Sequence, residues 1–513
     1  MMKKRFKWGL AAMLSLLLVV MAGCQAVGGV DVGKAALSSL DVKSAMSKQT
    51  VSLQLVPADG KLSAEDQKAI DLLSSLSITI DQAITQDLNH ASMEGAVQFQ
   101  GKKLPFHLAM DAKTLNLSVE GMTQPISVSL EPETLDPAFA VPQMNNESVI
   151  QMYKDMLGFL LKHTPNPSKI SITPVNDTVN GESLSLQKLH VEIRGDELAG
   201  LAKGFLTSLS KDKEGLKQLI TRLYDTYYPI IAAYYAGVPG MEEDALTSAE
   251  KEKEIALVAD QLISAVNEIL PDFDKNVNEL FEGTPELRTV LGKDTVLSLD
   301  FLLDSKMNIR KQNMDLTVQL PANKDIPVKQ VKVHSEAETW KINEPVTIHP
   351  VDGSKGFWNV APGEGTPGEV LRHLDSKSEL YRLLKNDMQI TRKSFDMYAE
   401  DDPTMMLVPG YEPVIVNNTL MVPVKHVANQ LDAKLSWDKA TKQITLTEDL
   451  TGAKIVLKVG SKQASINGTA EVLAEPVQNF EGSNYVPMRF ITKALGAQGH
   501  WDAKGKVLTI ERD

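Results

Sequence analysis

The last hundred residues repeat themselves. Val422-Pro423-Val424-Lys425 returns as Val486-Pro487-Met488-Arg489, and Leu431 and Ala433 return as Leu495 and Ala497. Trp437-Asp438 returns as Trp501-Asp502, and Ile444-Thr445-Leu446 as Leu508-Thr509-Ile510. Every pair keeps the 64-residue offset that separates Val422 from Val486, without a gap. A constant offset means one structural unit built twice, so the fold of one copy dictates that of the other. Each copy reads as a strand (Leu420–Val422 or Asn484–Val486), then a helix with proline at its first turn, where the missing N–H costs nothing. Val427 and Leu431, or Ile491 and Leu495, form the inner helix face. Trp437 and Trp501 are expected to cover those helices from the next strand, as core residues rather than ligand platforms. Polar turns then precede the closing strands.

The set Val422-Pro423-Val424-Lys425, Leu431-Asp432-Ala433, Trp437-Asp438, Val459-Gly460-Ser461, Ile466-Asn467-Gly468, Val486-Pro487-Met488-Arg489-Phe490, Leu495-Gly496-Ala497 and Trp501-Asp502 resembles the copper amine oxidase N-terminal-like domain, or stalk domain. The resemblance spans about Leu407 to Arg512. The first copy departs from the family pattern, with His426 for the usual aromatic and Asp432 for the usual glycine. The resemblance implies a small α+β domain common on Gram-positive cell surfaces. It implies no copper chemistry, because copper and the tyrosine-derived quinone of those oxidases belong to a separate catalytic domain. Asn484-Tyr485 is followed by Val486 where the cofactor motif has an acid, so Tyr485 reads as a strand residue.

At the other end, Lys3, Lys4, Arg5 and Lys7 precede an uncharged stretch from Trp8 to Gly23. This is the order of a secretory signal, and the stretch is shorter than the roughly 20 residues of a spanning helix. It ends in Met21-Ala22-Gly23-Cys24, which resembles a bacterial lipobox, with Met21 where leucine is usual. The resemblance implies that Cys24 receives a diacylglycerol and becomes the mature N-terminus, anchoring the chain to the extracytoplasmic face of the cell membrane. Cys24 is the only cysteine, so an intramolecular disulfide is excluded. The acyl chains contribute about 0.8 kcal/mol per buried methylene, enough for stable anchoring.

The net charge of −13 becomes about −17 once the four signal cations are removed. With no basic stripe, nucleic acid is a poor partner, because phosphate binding needs clustered Lys and Arg. Without disulfides, stability must come from apolar cores, which a chain of this length can build.

Between the ends, the pattern predicts an α+β body over residues 31–348. A helix is expected over Asp31–Ser47 and a half-buried strand over Thr50–Val56, then a helix capped by Ser63. Strands alternate from Leu76 to Leu130, as in Leu104, Phe106, Leu108 and Met110. Helices are expected over Glu147–His163, Asp196–Tyr235, Leu246–Leu270 and Phe273–Phe281, with strands near Ile170–Val175 and Ser183–Arg194. A second antiparallel stretch follows over Thr295–Leu303, Ile309–Leu320 and Val328–Glu338. The layout loosely resembles the lipoprotein-carrier half-barrel, which implies room for a lipid. The tyrosines Tyr224, Tyr227, Tyr228, Tyr234 and Tyr235 read as a helix packed on the sheet with phenolic tips at water. Residues 349–406 read as a Gly/Pro-rich linker and connecting helix (Glu369–Lys385), and 407–513 as the stalk domain, after a signal at 1–23 and a tether at 24–30.

No metal-ligand spacing, nucleophile elbow or phosphate-cradling glycine loop appears among the nine His and the many acids. The expectation is a chain without cofactor, metal or catalytic residues. Its role would be binding or structural at the envelope, with membrane, lipid or cell-wall polymer as partners. The alternatives are a carrier of a hydrophobic ligand and a cell-wall hydrolase built from scattered residues.

Overall fold

The computed structural model describes residues 32–131, 147–235, 247–321, 326–361, 365–399, 410–480 and 482–513. Two compact units divide them. The first takes residues up to 117 and 130–351, the second residues 118–129 and 352–513.

The strands of the first part of the chain are β1 (Ala45–Pro57), β2 (Ser77–Thr85), β3 (Ala91–Phe99), β4 (Lys102–Met110), β5 (Thr114–Val119), β6 (Ile126–Ser129), β7 (Lys169–Val179), β8 (Glu182–Arg194), β9 (Val296–Leu303), β10 (Ile309–Gln319) and β11 (Val328–Trp340). In the first unit they run β5-β4-β3-β2-β1-β11-β10-β9-β8-β7. The two expected antiparallel stretches are therefore one sheet. The joint is the antiparallel pair β1–β11, with Val51 opposite Ser335 and Leu53 opposite Val333.

The alternation read from the sequence becomes a single file of side chains across the strands, because same-face residues recur every second position. It runs Leu104, Val97, Ile78, Val51, then Ser335, Met314, Leu299, Val191 and Ile170. Ser335, the one polar member, is buried and its hydroxyl accepts from Gln49 Nε2 at 3.0 Å. At the β7–β9 end the apolar face is covered by helices. Leu198, Leu201, Ala202 and Leu206 of Leu198–Leu209, Val266 of Ser248–Ile269, and Phe273 and Leu280 of Phe273–Gly283 close over Val191, Ile193 and Leu303.

Local chemistry sets the boundaries. Ser63 accepts from the Asp66 N–H at 3.0 Å and opens Ala64–Ser74. Thr247 and Glu250 form a reciprocal capping box at the start of Ser248–Ile269. The Gln100-Gly101 and Asn180-Gly181 turns both take two successive positive φ angles, as a tight hairpin requires. The expected helix Asp31–Ser47 is shorter: α-helix covers Val32–Ser38 and a 3-10 turn ends at Asp41. The chain is already extended at Ala45, where Thr85 of β2 is its partner, and from Met46, opposite Trp340, it also pairs with β11. The helical stretch 196–235 breaks at Ser210–Asp212, and Asp212 accepts from the Gly215 N–H to start Lys213–Tyr235.

In the second unit, β12 (Trp358–Val360) pairs in parallel with β6, so the glycine-rich stretch contains a strand. The helix expected over Glu369–Lys385 is broken into Pro367–Arg372, Glu379–Arg382 and a π-turn at Leu383–Asp387. Asp375 and Ser378 interrupt it, each side chain bonding a backbone N–H just ahead of it. The remaining strands are β13 (Lys393–Tyr398), β14 (Val414–Val416), β15 (Thr419–Pro423), β16 (Lys434–Asp438), β17 (Gln443–Thr447), β18 (Lys454–Lys458), β19 (Gln463–Ile466), β20 (Thr469–Val472), β21 (Gln478–Phe480), β22 (Ser483–Pro487), β23 (Gln498–Asp502) and β24 (Val507–Arg512). They form sheets β13-β24-β23, β14-β15-β22-β21 and β16-β17-β18-β19-β20 around one core.

Candidate functional site

The duplication is a local two-fold axis in three dimensions. In the β15–β22 pair, Val422 lies opposite Val486, Met421 opposite Pro487 and Pro423 opposite Tyr485. Under the 64-residue offset the first pair maps onto itself and the other two exchange, which is what an axis through Val422 and Val486 requires. The helices Val424–Gln430 and Met488–Ala494 obey the same offset. Proline sits at the N-cap of each, one place ahead of the expected first turn. The predicted inner faces hold, with Val427, Leu431, Ile491 and Leu495 fully buried.

The axis also relates two surface clefts. The first, of about 410 Å³, is lined by Pro423, Val424, Lys425 and Trp437, with Gly482, Ser483 and Asn484 on its far wall. The second, of about 390 Å³, is lined by Pro487, Met488, Arg489 and Trp501, with Asn418, Thr419 and Leu420 opposite. Each residue of the first set is 64 from its counterpart. Each cleft thus takes its helix start and tryptophan from one repeat and its far wall from the other repeat's hairpin.

Trp501 is half-buried against the core, as expected. Trp437 is not the core residue expected: it is 45 % exposed. Single-sequence reasoning treats a repeated tryptophan as packing and cannot see which way its strand faces. Lys425 and Arg489 are both exposed, and among the described residues neither has an ion-pair partner. The first cleft adds His426, whose ring meets Tyr411 and Phe395 edge-on at 5.0 and 5.9 Å. Burial pulls the His426 imidazole below its ordinary pKa, so it is neutral near pH 7. An indole, an open cation and hydroxyl or amide groups converge in each cleft. That set can hold a polar ligand.

Residues 406–510 match the copper amine oxidase N-terminal domain. This is the stalk domain read from the repeats, and the body lies outside the match. None of the curated proteins compared with the chain matches it. The copper amine oxidase N-terminal-like domain also uses a strand upstream of the matched segment: β13 pairs with β24 along its length, and its Met397 enters the core. Tyr485 is a buried residue of β22, edge-on to Phe480, and Asn484 accepts from the Asn479 side chain at 3.0 Å.

In the body, one constellation escaped sequence reasoning. His163 Nδ1 lies 2.9 Å from Ser208 Oγ and its Nε2 lies 3.0 Å from Asp212 Oδ2. No linear motif joins positions 163, 208 and 212. The His163 side chain is only 2 % exposed. Asp212 also pairs with Lys162 and caps the following helix through the Gly215 N–H. The group is a clamp joining the end of Glu147–His163 to Leu198–Leu209 and Lys213–Tyr235. Among the described residues no three His, Cys, Asp or Glu are placed to hold a metal ion. The Tyr227 hydroxyl meets Tyr153, and burial raises its pKa; Tyr224 and Tyr228 stack at 4.8 Å. Cys24 lies outside the described residues.

Proposed function

We propose that this chain is a lipoprotein anchored through Cys24 on the extracytoplasmic face of the cell membrane, with a non-catalytic binding role at the envelope. The observation that carries the binding role is the pair of symmetry-related clefts, each with a tryptophan and an open cation. The anchoring reading rests on the cationic start, the short apolar stretch and the lipobox-like Met21-Ala22-Gly23-Cys24. Membrane lipid holds one end of the molecule, and the clefts reach for a partner in the wall. The acidic balance makes nucleic acid an unsuitable partner.

Expression in a bacterial host with labelled palmitate tests the anchor. Label should enter the wild type and sediment with membranes, while Cys24→Ser stays unlabelled. Equal labelling of both would overturn it.

A second reading, a carrier of a hydrophobic ligand, is favoured by the apolar file on the body sheet, where Ile78 is 43 % exposed. Native mass spectrometry with extraction of bound lipid tests it. A co-purifying acyl lipid at fixed stoichiometry supports the carrier, and a clean mass of the chain alone rejects it.

A further inference from the structure

We infer that each cleft of the C-terminal domain takes one charged, hydroxylated unit of an anionic glycan or polyol polymer, and that the two clefts hold two separate segments. This deepens the binding role proposed above and rests on it.

Charge complementarity identifies the ligand. In this part of the chain Lys393 meets Asp432, Lys434 meets Glu369 and Lys462 meets Glu475, whereas the exposed Lys439, Lys442 and Lys493 have no ion-pair partner among the described residues. Lys425 and Arg489, at equivalent positions in the two clefts, are without an ion pair among the described residues. What sets them apart from other unpaired surface lysines is their place: each lines a cleft together with a tryptophan, where an anionic group of a ligand would meet it. Either side chain makes charge-assisted hydrogen bonds to carboxylate or phosphate oxygens.

The neighbouring groups define the rest of the unit. The indole face carries negative quadrupole density, which favours the C–H-bearing face of a sugar or polyol over a second anion. Ser483 in one far wall and Thr419 in the other supply hydroxyls for the ligand's own hydroxyls. Clefts near 400 Å³ are of small-molecule size, so each takes a unit with its flanks and not a folded partner.

The symmetry gives the stoichiometry. A two-fold axis reverses direction perpendicular to itself, so the order of cation and indole runs oppositely in the two clefts. A polymer with chemical polarity satisfies both only by presenting two segments. The domain therefore bridges polymer segments, and its grip on a long polymer exceeds that on a short oligomer by about 10²- to 10⁴-fold through effective concentration.

The test is titration calorimetry of the full chain in detergent with short oligomers: tetragalacturonate for carboxylate, a glycerol-phosphate tetramer for phosphate, and maltotetraose as the neutral control. The expected result is two sites per chain for at least one anionic oligomer and none for the neutral one, with weakening as salt is raised. Lys425→Glu should leave one site, and Lys425→Glu with Arg489→Glu should leave none. Lys425→Arg should keep two sites. Trp437→Ala should weaken one site roughly 10- to 100-fold, the scale of losing well-placed polar and stacking contacts. Trp437 is exposed, so its removal does not open a core, and an unchanged circular dichroism spectrum confirms the fold. Binding of carboxylate alone or phosphate alone supports the inference and identifies the source of the charge. Equal binding of maltotetraose overturns the ligand class. Two sites persisting in the double charge reversal would show that binding exists but lies elsewhere. Absence of any binding by the wild type would remove the binding role itself, leaving the palmitate test of the anchor unaffected.

Discussion

Glu448 and Arg512 hold the same position in the two repeats and meet at 3.5 Å. Symmetry-equivalent residues near a two-fold axis face each other, and here they have diverged to opposite charge. Arg512 Nη1 also donates to Asp449 Oδ1 at 2.8 Å and to the Leu431 carbonyl at 2.9 Å. Asp449 in turn accepts from the Gly368 N–H at 3.1 Å. The side chains of Arg512, Glu448 and Asp449 are at most 4 % exposed.

Removing one partner of such a cluster leaves the others charged and dry. Arg512→Met should destabilise the C-terminal domain by about 3–5 kcal/mol, the cost of uncompensated buried carboxylates. Arg512→Lys should recover part of this, since an ammonium keeps the charge but not the planar fork. Urea unfolding followed at this domain measures both. An Arg512→Met midpoint within error of wild type would show that the cluster contributes nothing.

The same internal comparison isolates a backbone effect. Asp432 has φ +57° where its counterpart Gly496 has φ +67°, the left-handed position that ends each helix. Asp432 tolerates it while its carboxylate meets Lys393 at 2.7 Å. Gly496→Ala has open space for the new methyl, so its loss, about 1 kcal/mol, reports the backbone alone. Asp432→Asn keeps the turn preference and removes the charge, so its loss reports the ion pairs with Lys393 and, at 3.8 Å, with Arg512 together. Thermal melts of the two variants should both fall; a fall only for Gly496→Ala would show that the ion pairs are inert.

Much of the fold was legible because periodicity survives folding. The file from Leu104 to Ile170 is the period-two alternation of each strand, and the capping residues Ser63 and Thr247 act through neighbours three positions away. The closure of β1 on β11 was not legible, since nothing local in Val51 or Ser335 specifies a partner 284 positions away. The break at Asp375 and Ser378 was masked by helical spacing in Leu371, Leu374 and Leu383. For the candidate site, the repeat offset exposed its residues, but cleft and core readings of Trp437 differ only in which side of β16 faces water. His163, Ser208 and Asp212 are joined by helix packing alone.

Gly95 tests the sheet at its tightest point. It lies opposite Ile80, where β2 carries a bulge before Gln82. A Cβ at Gly95 would fall 2.2 Å from the Thr79 carbonyl oxygen and 3.1 Å from the Phe106 ring. The obstacle is backbone, so it cannot rotate away. Gly95→Ala should cost the body about 1–3 kcal/mol or more, read as a lowered urea midpoint for unit one with unit two unchanged. An unaltered midpoint would mean that the strands separate there without cost.

The His163 clamp makes the body's stability pH-dependent in one direction. Burial pushes the His163 imidazole below its ordinary value of 6.5, against the pull of Asp212. The hydrogen bond from Lys162, with the Gly215 N–H and His163 adding to it, holds Asp212 below its ordinary 3.8. As pH falls through about 6.5 the unfolded chain takes up the His163 proton and the folded chain does not, so unfolding is favoured. The histidine's contribution is therefore complete above pH 6.5 and declines below it. The aspartate's is complete above pH 3.8 and declines as pH falls through its lower folded value. Both slopes have the same sign, with the histidine acting first. Urea midpoints of the wild type should fall between pH 7.5 and 5, and those of His163→Gln should fall less over that window while starting lower, because the clamp to Ser208 and Asp212 is weakened. Parallel pH profiles for the two proteins would show that the imidazole is protonated as readily in the folded chain as in the unfolded one, and that the clamp is not desolvated.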